Sequence, residues 1–150
     1  MKKTILTIAI GILSIYNVNA QITEVIDNSV EIGSMKLPGM PKHGTISLED
    51  SNYFFSYKDI QFSTLTKFDG FYFQGEETLN ALYAIFKDQL AAPKKTERVV
   101  NIKSVQEEAT LYITTKKILG NPYLSIRVWN TGHSSYLNIE PKQLETLFGK

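Results

Sequence analysis

The two histidines come first, because imidazole serves both as a metal ligand and as a general base. His43 and His133 lie far apart in the sequence, and the chain contains no cysteine. No H-E-x-x-H pair surrounds them, and no acidic loop has the spacing of a calcium site. We therefore predict no metal site and no cofactor, and thiol chemistry is excluded.

A serine beside a histidine suggests a hydrolase, and Gly132-His133-Ser134-Ser135 contains one. Neighbouring residues on an extended chain point to opposite sides, so His133 is poorly placed to activate Ser134, and Ser135 is the better candidate. The G-x-S-x-G motif is absent. A hydrolase here would also need an acid such as Asp59 or Glu140. The simpler interpretation is a polar hairpin tip.

The charged residues indicate neither catalysis nor nucleic-acid binding. Most acidic residues fall at predicted turns and helix starts, which explains them without an active site. The chain has 16 Lys and Arg against 15 Asp and Glu, a net charge of +1. Loss of Lys2 and Lys3 with a signal peptide would leave 14 against 15, a net charge of −1. Such a balance gives no attraction to nucleic acid.

One predicted strand face has the composition of a contact surface. Leu124, Ile126 and Val128 alternate with Tyr123, Ser125, Arg127 and Trp129, so apolar and mixed side chains lie on opposite faces. Tyr112 lies on the matching face of the preceding strand. If this face is open, Trp129, Arg127, Tyr123 and Tyr112 would form a binding site rich in residues typical of hot spots. If helices cover it, these residues belong to the core. Tyr53, Phe55 and Tyr57 form a second candidate face.

The elements around these residues indicate an α+β fold. Strands precede a helix at about Glu76–Leu90, more strands follow, and a short helix closes the chain at Pro141–Phe148. We predict a largely antiparallel sheet with helices packed on one face. Residues 60–65 are predicted as a strand, Asp69-Gly70 as a hairpin turn and residues 33–44 as a loop. Segments Tyr72–Phe86 and Tyr136–Phe148 also resemble each other, so a duplicated β–α unit is an alternative.

The first residues are typical of a signal peptide. Lys2 and Lys3 precede an apolar run from Ile5 to Ile15, and Val18-Asn19-Ala20 provides small side chains for cleavage after Ala20. The run is short for a membrane span, although a retained anchor is the alternative. No cysteine is present for a lipid anchor. We expect residues 1–20 to be removed, and residues 21–150 to form a single domain in the periplasm or outside the cell, with no transmembrane segment.

Three functions remain open at this level. The first is an exported, non-catalytic module that binds a protein, a peptide or a cell-envelope component through Trp129, Arg127, Tyr123 and Tyr112. The second is a small exported hydrolase that uses His133 with a nearby serine. The third is a structural or assembly protein of the envelope, which would associate with itself.

Overall fold

The computed structural model describes residues 28–62, 64–92 and 96–150, which form eight strands and two helices. In chain order these are β1 (Val30–Met35), β2 (Gly44–Glu49), β3 (Asn52–Lys58), β4 (Phe68–Gln74), α1 (Glu76–Ala91), β5 (Glu97–Lys103), β6 (Glu108–Ile118), β7 (Asn121–Asn130), β8 (His133–Ile139) and α2 (Pro141–Leu147). The predicted signal peptide lies outside the described residues. Within them, neither helix has the length and apolar character needed to cross a membrane.

The strands form two sheets, each a four-stranded antiparallel meander that is followed by a helix. The first sheet has the order β1-β2-β3-β4 and the second has the order β5-β6-β7-β8. The α+β class and the antiparallel pairing predicted from the sequence are confirmed. The strands form two sheets because each strand pairs only with its neighbours in sequence, and α1 separates the two meanders.

Each helix packs against the sheet that it does not follow. Helix α1 lies against β6 and β7 of the second sheet, whereas α2 lies against β1 and β2 of the first. The predicted packing of both helices on one face of one sheet is therefore not confirmed. The approach of α2 requires a glycine at position 33, since a Cβ there would lie 2.2 Å from the Thr146 carbonyl oxygen.

The inner faces of both sheets and of both helices form one core cluster. In the first sheet this face is aromatic: Tyr53, Phe55 and Tyr57 are at most 8% exposed, so the second candidate face belongs to the core. In the second sheet it is aliphatic, with Leu124, Ile126 and Val128 buried as predicted. The helices contribute aromatic contacts as well. The rings of Phe86 and Phe148 meet edge to face at 5.8 Å.

The predicted loop at residues 33–44 is correct for residues 36–43, because β1 continues to Met35 and β2 begins at Gly44. Two other local predictions are wrong for identifiable reasons. Asp69 and Gly70 lie inside β4, where Gly70 pairs with Ser56. Glycine is needed there because a Cβ would lie 2.6 Å from the Phe54 ring, and the backbone does not turn. The described part of residues 60–65 is not a strand. This connection instead follows the edge of β8, where the Ile60 N–H donates to the Tyr136 carbonyl at 2.9 Å.

Candidate binding surface

The four residues predicted to bind a partner share the outer face of the second sheet. Trp129 is 48% exposed, Arg127 is exposed, and Tyr112 and Tyr123 are half-buried. Neither helix contacts this face through these residues, because α1 lies on the opposite, aliphatic side of β6 and β7. The predicted alternation is thus confirmed. The role of these residues in binding stays a prediction.

Strand register places Arg127 in a row of aromatic residues. Tyr112 lies opposite it on β6 and Tyr136 opposite it on β8, while Val99 extends the row onto β5. The Arg127 guanidinium carbon lies 4.0 Å from the centre of the Tyr112 ring. Such a cation–π contact contributes about 0.5–1 kcal/mol at an exposed site. Among the described residues the Arg127 side chain makes no hydrogen bond or ion pair, so its N–H donors are unused, and the ring contact holds the guanidinium in place.

A groove of about 620 Å³ opens at the Tyr123 end of this face. Its apolar wall comes from four separate segments of the chain, represented by Leu37, Ile60, Leu119 and Pro141. Its polar groups include His43, Asn138 and Glu140. A mostly apolar concavity of this size with a few polar groups is typical of ligand and side-chain binding sites.

Leu119 is the most unusual residue of the groove. It is 98% exposed and has φ of 49°, a conformation that bulky residues seldom adopt. It forms the β6–β7 turn with Gly120. Ile118 beside it is 58% exposed. An exposed leucine in this backbone conformation adds nothing to the core and leaves its whole side chain open to solvent.

His43 lies in the groove as a neutral imidazole. Burial has the largest effect and lowers its pKa below the ordinary value. The carboxylate of Glu140 raises the pKa and the positive charge of Lys58 lowers it, so the pKa of His43 stays lowered. The hydrogen bonds agree with this state. The Gln143 side-chain oxygen accepts from the Glu140 N–H, so its amide N–H₂ donates to His43 Nε2 at 3.2 Å, which requires an unprotonated nitrogen.

His133 lies elsewhere, in a cleft of about 480 Å³ on the outer side of β4. Its Nε2 is 2.7 Å from the Asp69 Oδ2 oxygen. The acids named as partners from the sequence do not bind it: Asp59 accepts from the N–H groups of Gln61 and Tyr136, and Glu140 caps α2. The structure therefore supplies a carboxylate for His133, and sequence reasoning missed it because Asp69 appeared to be a turn residue.

The serine predicted for a hydrolase faces away from solvent. Ser135 is 1% exposed, and its hydroxyl lies 2.7 Å from the Tyr57 hydroxyl. Burial raises the pKa of Tyr57 far above its ordinary value, so Tyr57 keeps its proton and donates to Ser135. Ser135 in turn donates to the Asp69 carboxylate. The carboxylate thus lies between serine and histidine, which is not the order of a Ser-His-Asp triad.

The pKa of Asp69 reflects these contacts. Burial opposes its ionisation, but hydrogen bonds from Ser135, His133 and the Gly70 N–H outweigh that effect and lower its pKa.

No group of three or more His, Cys, Asp and Glu residues in the described part of the chain is arranged to hold a metal ion. Comparisons of the chain with models of protein families, with curated proteins and with solved structures find no match. Function is therefore inferred from these surfaces.

Proposed function

We propose that this chain is an exported, non-catalytic binding module that holds a protein partner on the outer face of its second sheet. The observation that supports this most is Arg127, a guanidinium stacked on Tyr112 with no acidic partner among the described residues. Arginine, tryptophan and tyrosine are the residues most enriched in binding hot spots. Here all three lie on one regular sheet, so ordering them on binding costs little entropy.

The chemistry of the face specifies the partner. The outward N–H groups of Arg127 fit a carboxylate, which guanidinium binds with two parallel hydrogen bonds. Trp129 and Val99, 48% and 52% exposed, flank it with apolar surface. We expect the partner to present an Asp or Glu side chain among apolar residues, with one apolar side chain entering the groove next to Leu119.

Affinity capture followed by measurement with purified components tests this proposal. The bait is the protein purified from cells that express the full chain, and the prey is an envelope or culture fraction. A partner captured by the unmodified protein is then purified, and its dissociation constant is measured. We expect Arg127→Ala and Trp129→Ala each to weaken binding about tenfold or more. Arg127→Lys should be intermediate, because lysine keeps the charge but loses the planar fork.

Val105→Ala is the matched control, since Val105 is 85% exposed in the β5–β6 turn, away from the face. It should bind like the unmodified protein. Leu119→Ala tests the groove separately. Equal affinity of all variants for the captured partner would reject the sheet face as the binding site, and loss in Leu119→Ala alone would place the site in the groove.

A hydrolase is the second candidate, favoured by the contact between His133 and Asp69 in an open cleft. In this proposal Asp69 orients the imidazole, and a nearby serine is the nucleophile. A panel of ester and peptide substrates tests it with His133→Gln and Asp69→Asn. Turnover that both changes abolish would support a hydrolase. Turnover that survives both, or no turnover at all, would reject it.

Export is proposed on the sequence pattern of residues 1–20. Amino-terminal sequencing of the protein recovered from envelope and culture fractions tests it. A new terminus at Gln21 is the expected result. A terminus at Met1 in a membrane fraction would support a retained anchor instead.

A further inference from the structure

Strand β5 is an edge strand whose outer side is regular and open. All seven residues pair in register with β6, without a bulge. The Ser104 N–H bond to the Glu107 carbonyl closes this hairpin, so the residues that exchange hydrogen bonds with β6 are 102, 100 and 98. The backbone groups of Glu97, Val99, Asn101 and Lys103 consequently point away from the sheet. No described residue bonds to them, and all four residues are exposed.

The other three sheet edges are blocked in the described structure. On β4, Glu107 accepts from the Tyr72 N–H and Asn130 donates to the Gly70 carbonyl. On β8, the backbone of Tyr136 is bonded by Asp59 and Ile60. Strand β1 has a bulge between Glu31 and Gly33. Proteins use such devices to prevent unwanted strand pairing. Strand β5 has no bulge and no described side chain bonded to its outward backbone groups, and its charged residues lie at its two ends.

The sequence of β5 is complementary to itself. When two copies of Glu97–Lys103 run antiparallel and cross at Val100, Glu97 lies opposite Lys103 at both ends, and Val99 lies opposite Asn101. In this register the outward N–H and C=O groups of the two copies also face each other. A shift of two residues in either direction separates the opposite charges. Lys103 can bind Glu97 of a second copy because its present contact with Glu108 is an exposed one. The side chains of Lys103 and Glu108 are 76% and 73% exposed.

We infer that a second copy of this chain pairs with β5, forming a two-fold symmetric dimer with one continuous eight-stranded antiparallel sheet. Symmetry of this kind matches the same surface patch on both copies. The two outer faces then lie side by side, with the Arg127 row of one copy next to the Trp129 row of the other. The inference is independent of the proposed capture of a protein partner, and it gives the assembly alternative a defined interface.

Sedimentation velocity of the purified full-chain product over a range of concentrations tests the dimer. We expect a species of twice the mass of one chain that dissociates on dilution. Val99→Pro removes one outward N–H while leaving the β5–β6 bonds in place, so it should be monomeric with an unchanged circular dichroism spectrum. A single-chain mass at every concentration, or a Val99→Pro variant that is still dimeric, would overturn the inference.

Charge exchange tests the register. Glu97→Lys should raise the dimer dissociation constant roughly tenfold or more, because two exposed attractions become two repulsions. Adding Lys103→Glu to it should restore dimerisation, whereas Lys117→Glu, elsewhere on the exposed end of β6, should have no effect. Failure of the double variant to recover would reject this register.

Because the chain has no cysteine, introduced thiols report the pairing directly. A mixture of Val99→Cys and Asn101→Cys proteins should form an intermolecular disulfide on mild oxidation, since opposed residues of antiparallel strands are close enough to bridge. Val105→Cys, in the turn, should remain unlinked. Disulfides that form as readily in Val99→Cys alone would contradict the pairing. None of these results depends on Trp129 or Arg127, so failure of the dimer and failure of partner capture are distinguishable.

Discussion

Replacement of Glu107 by alanine tests how the two sheets are joined. Glu107 belongs to the second sheet's β5–β6 turn, yet its Oε1 accepts from the Tyr72 N–H of the first sheet at 2.8 Å. Its Oε2 accepts from the Asn130 side chain, also at 2.8 Å, and Asn130 is only 4% exposed. Glu107→Ala would leave two donors without a partner at the junction. At about 1–3 kcal/mol for each unsatisfied donor, we expect the two together to lower the free energy of unfolding by about 2–6 kcal/mol.

Glu108 provides a matched control at the next position. Its carboxylate pairs only with Lys103 in an exposed contact, so Glu108→Ala should cost about 1 kcal/mol or less. Equilibrium unfolding in urea measures both variants, with the midpoint shifting and the slope unchanged if the folded state stays compact. Glu107→Gln keeps one carbonyl acceptor and should lie between them. If Glu107→Ala and Glu108→Ala differ by less than about 0.5 kcal/mol, the proposed junction is wrong.

Three further predictions concern the same fold. Gly70→Ala should destabilise the protein by about 1–3 kcal/mol in urea unfolding, because the new Cβ meets the Phe54 ring, and an unchanged midpoint would contradict that close contact. Asp69 has a lowered pKa in the folded state, so its contribution to the free energy of unfolding is complete above pH of about 4 and is lost as the pH falls further. Asp69→Asn should lack this part of the pH dependence. Identical profiles of stability against pH for the variant and the unmodified protein would refute the prediction. His43 also has a lowered pKa because of burial, so the stability should fall as the pH drops below about 6.5, where the unfolded chain takes up a proton before the folded one does. His43→Gln should flatten the stability profile just below this pH, and a profile parallel to that of the unmodified protein would be the contrary result.

Local patterns predicted both helices and the two faces of β7, because alternation and helical spacing depend on neighbours in sequence. Helix α1 was predicted at Glu76–Leu90 and ends at Ala91. Leu124 and Arg127 lie on the opposite faces predicted for them. The Asp69-Gly70 pair shows where such patterns fail. A turn and a close ring contact both require glycine, and only the position of Phe54 across the sheet distinguishes them.

The candidate site was predicted in part. The placement of Trp129 and Arg127 on one open face was predicted because they stand on a regular strand, and their role in binding stays a prediction. The groove was not predicted, since Leu37, Ile60 and Leu119 come from three separate connections that only the fold brings together. The local sign of the groove in the sequence was an apolar pair, Ile118-Leu119, directly before the turn residue Gly120. The contact between His133 and Asp69 joins strands of different sheets, so no spacing in the sequence could indicate it.

The exchange of helices between the two sheets has a consequence for how the chain matures. A nascent chain that has emerged only as far as Ala91 contains the complete first sheet but not α2, which packs against that sheet from Pro141–Leu147. The side of β1 and β2 that α2 covers would meet water until the last helix arrives. Neither half can close its own interior, so folding should be cooperative and occur only after synthesis is nearly complete.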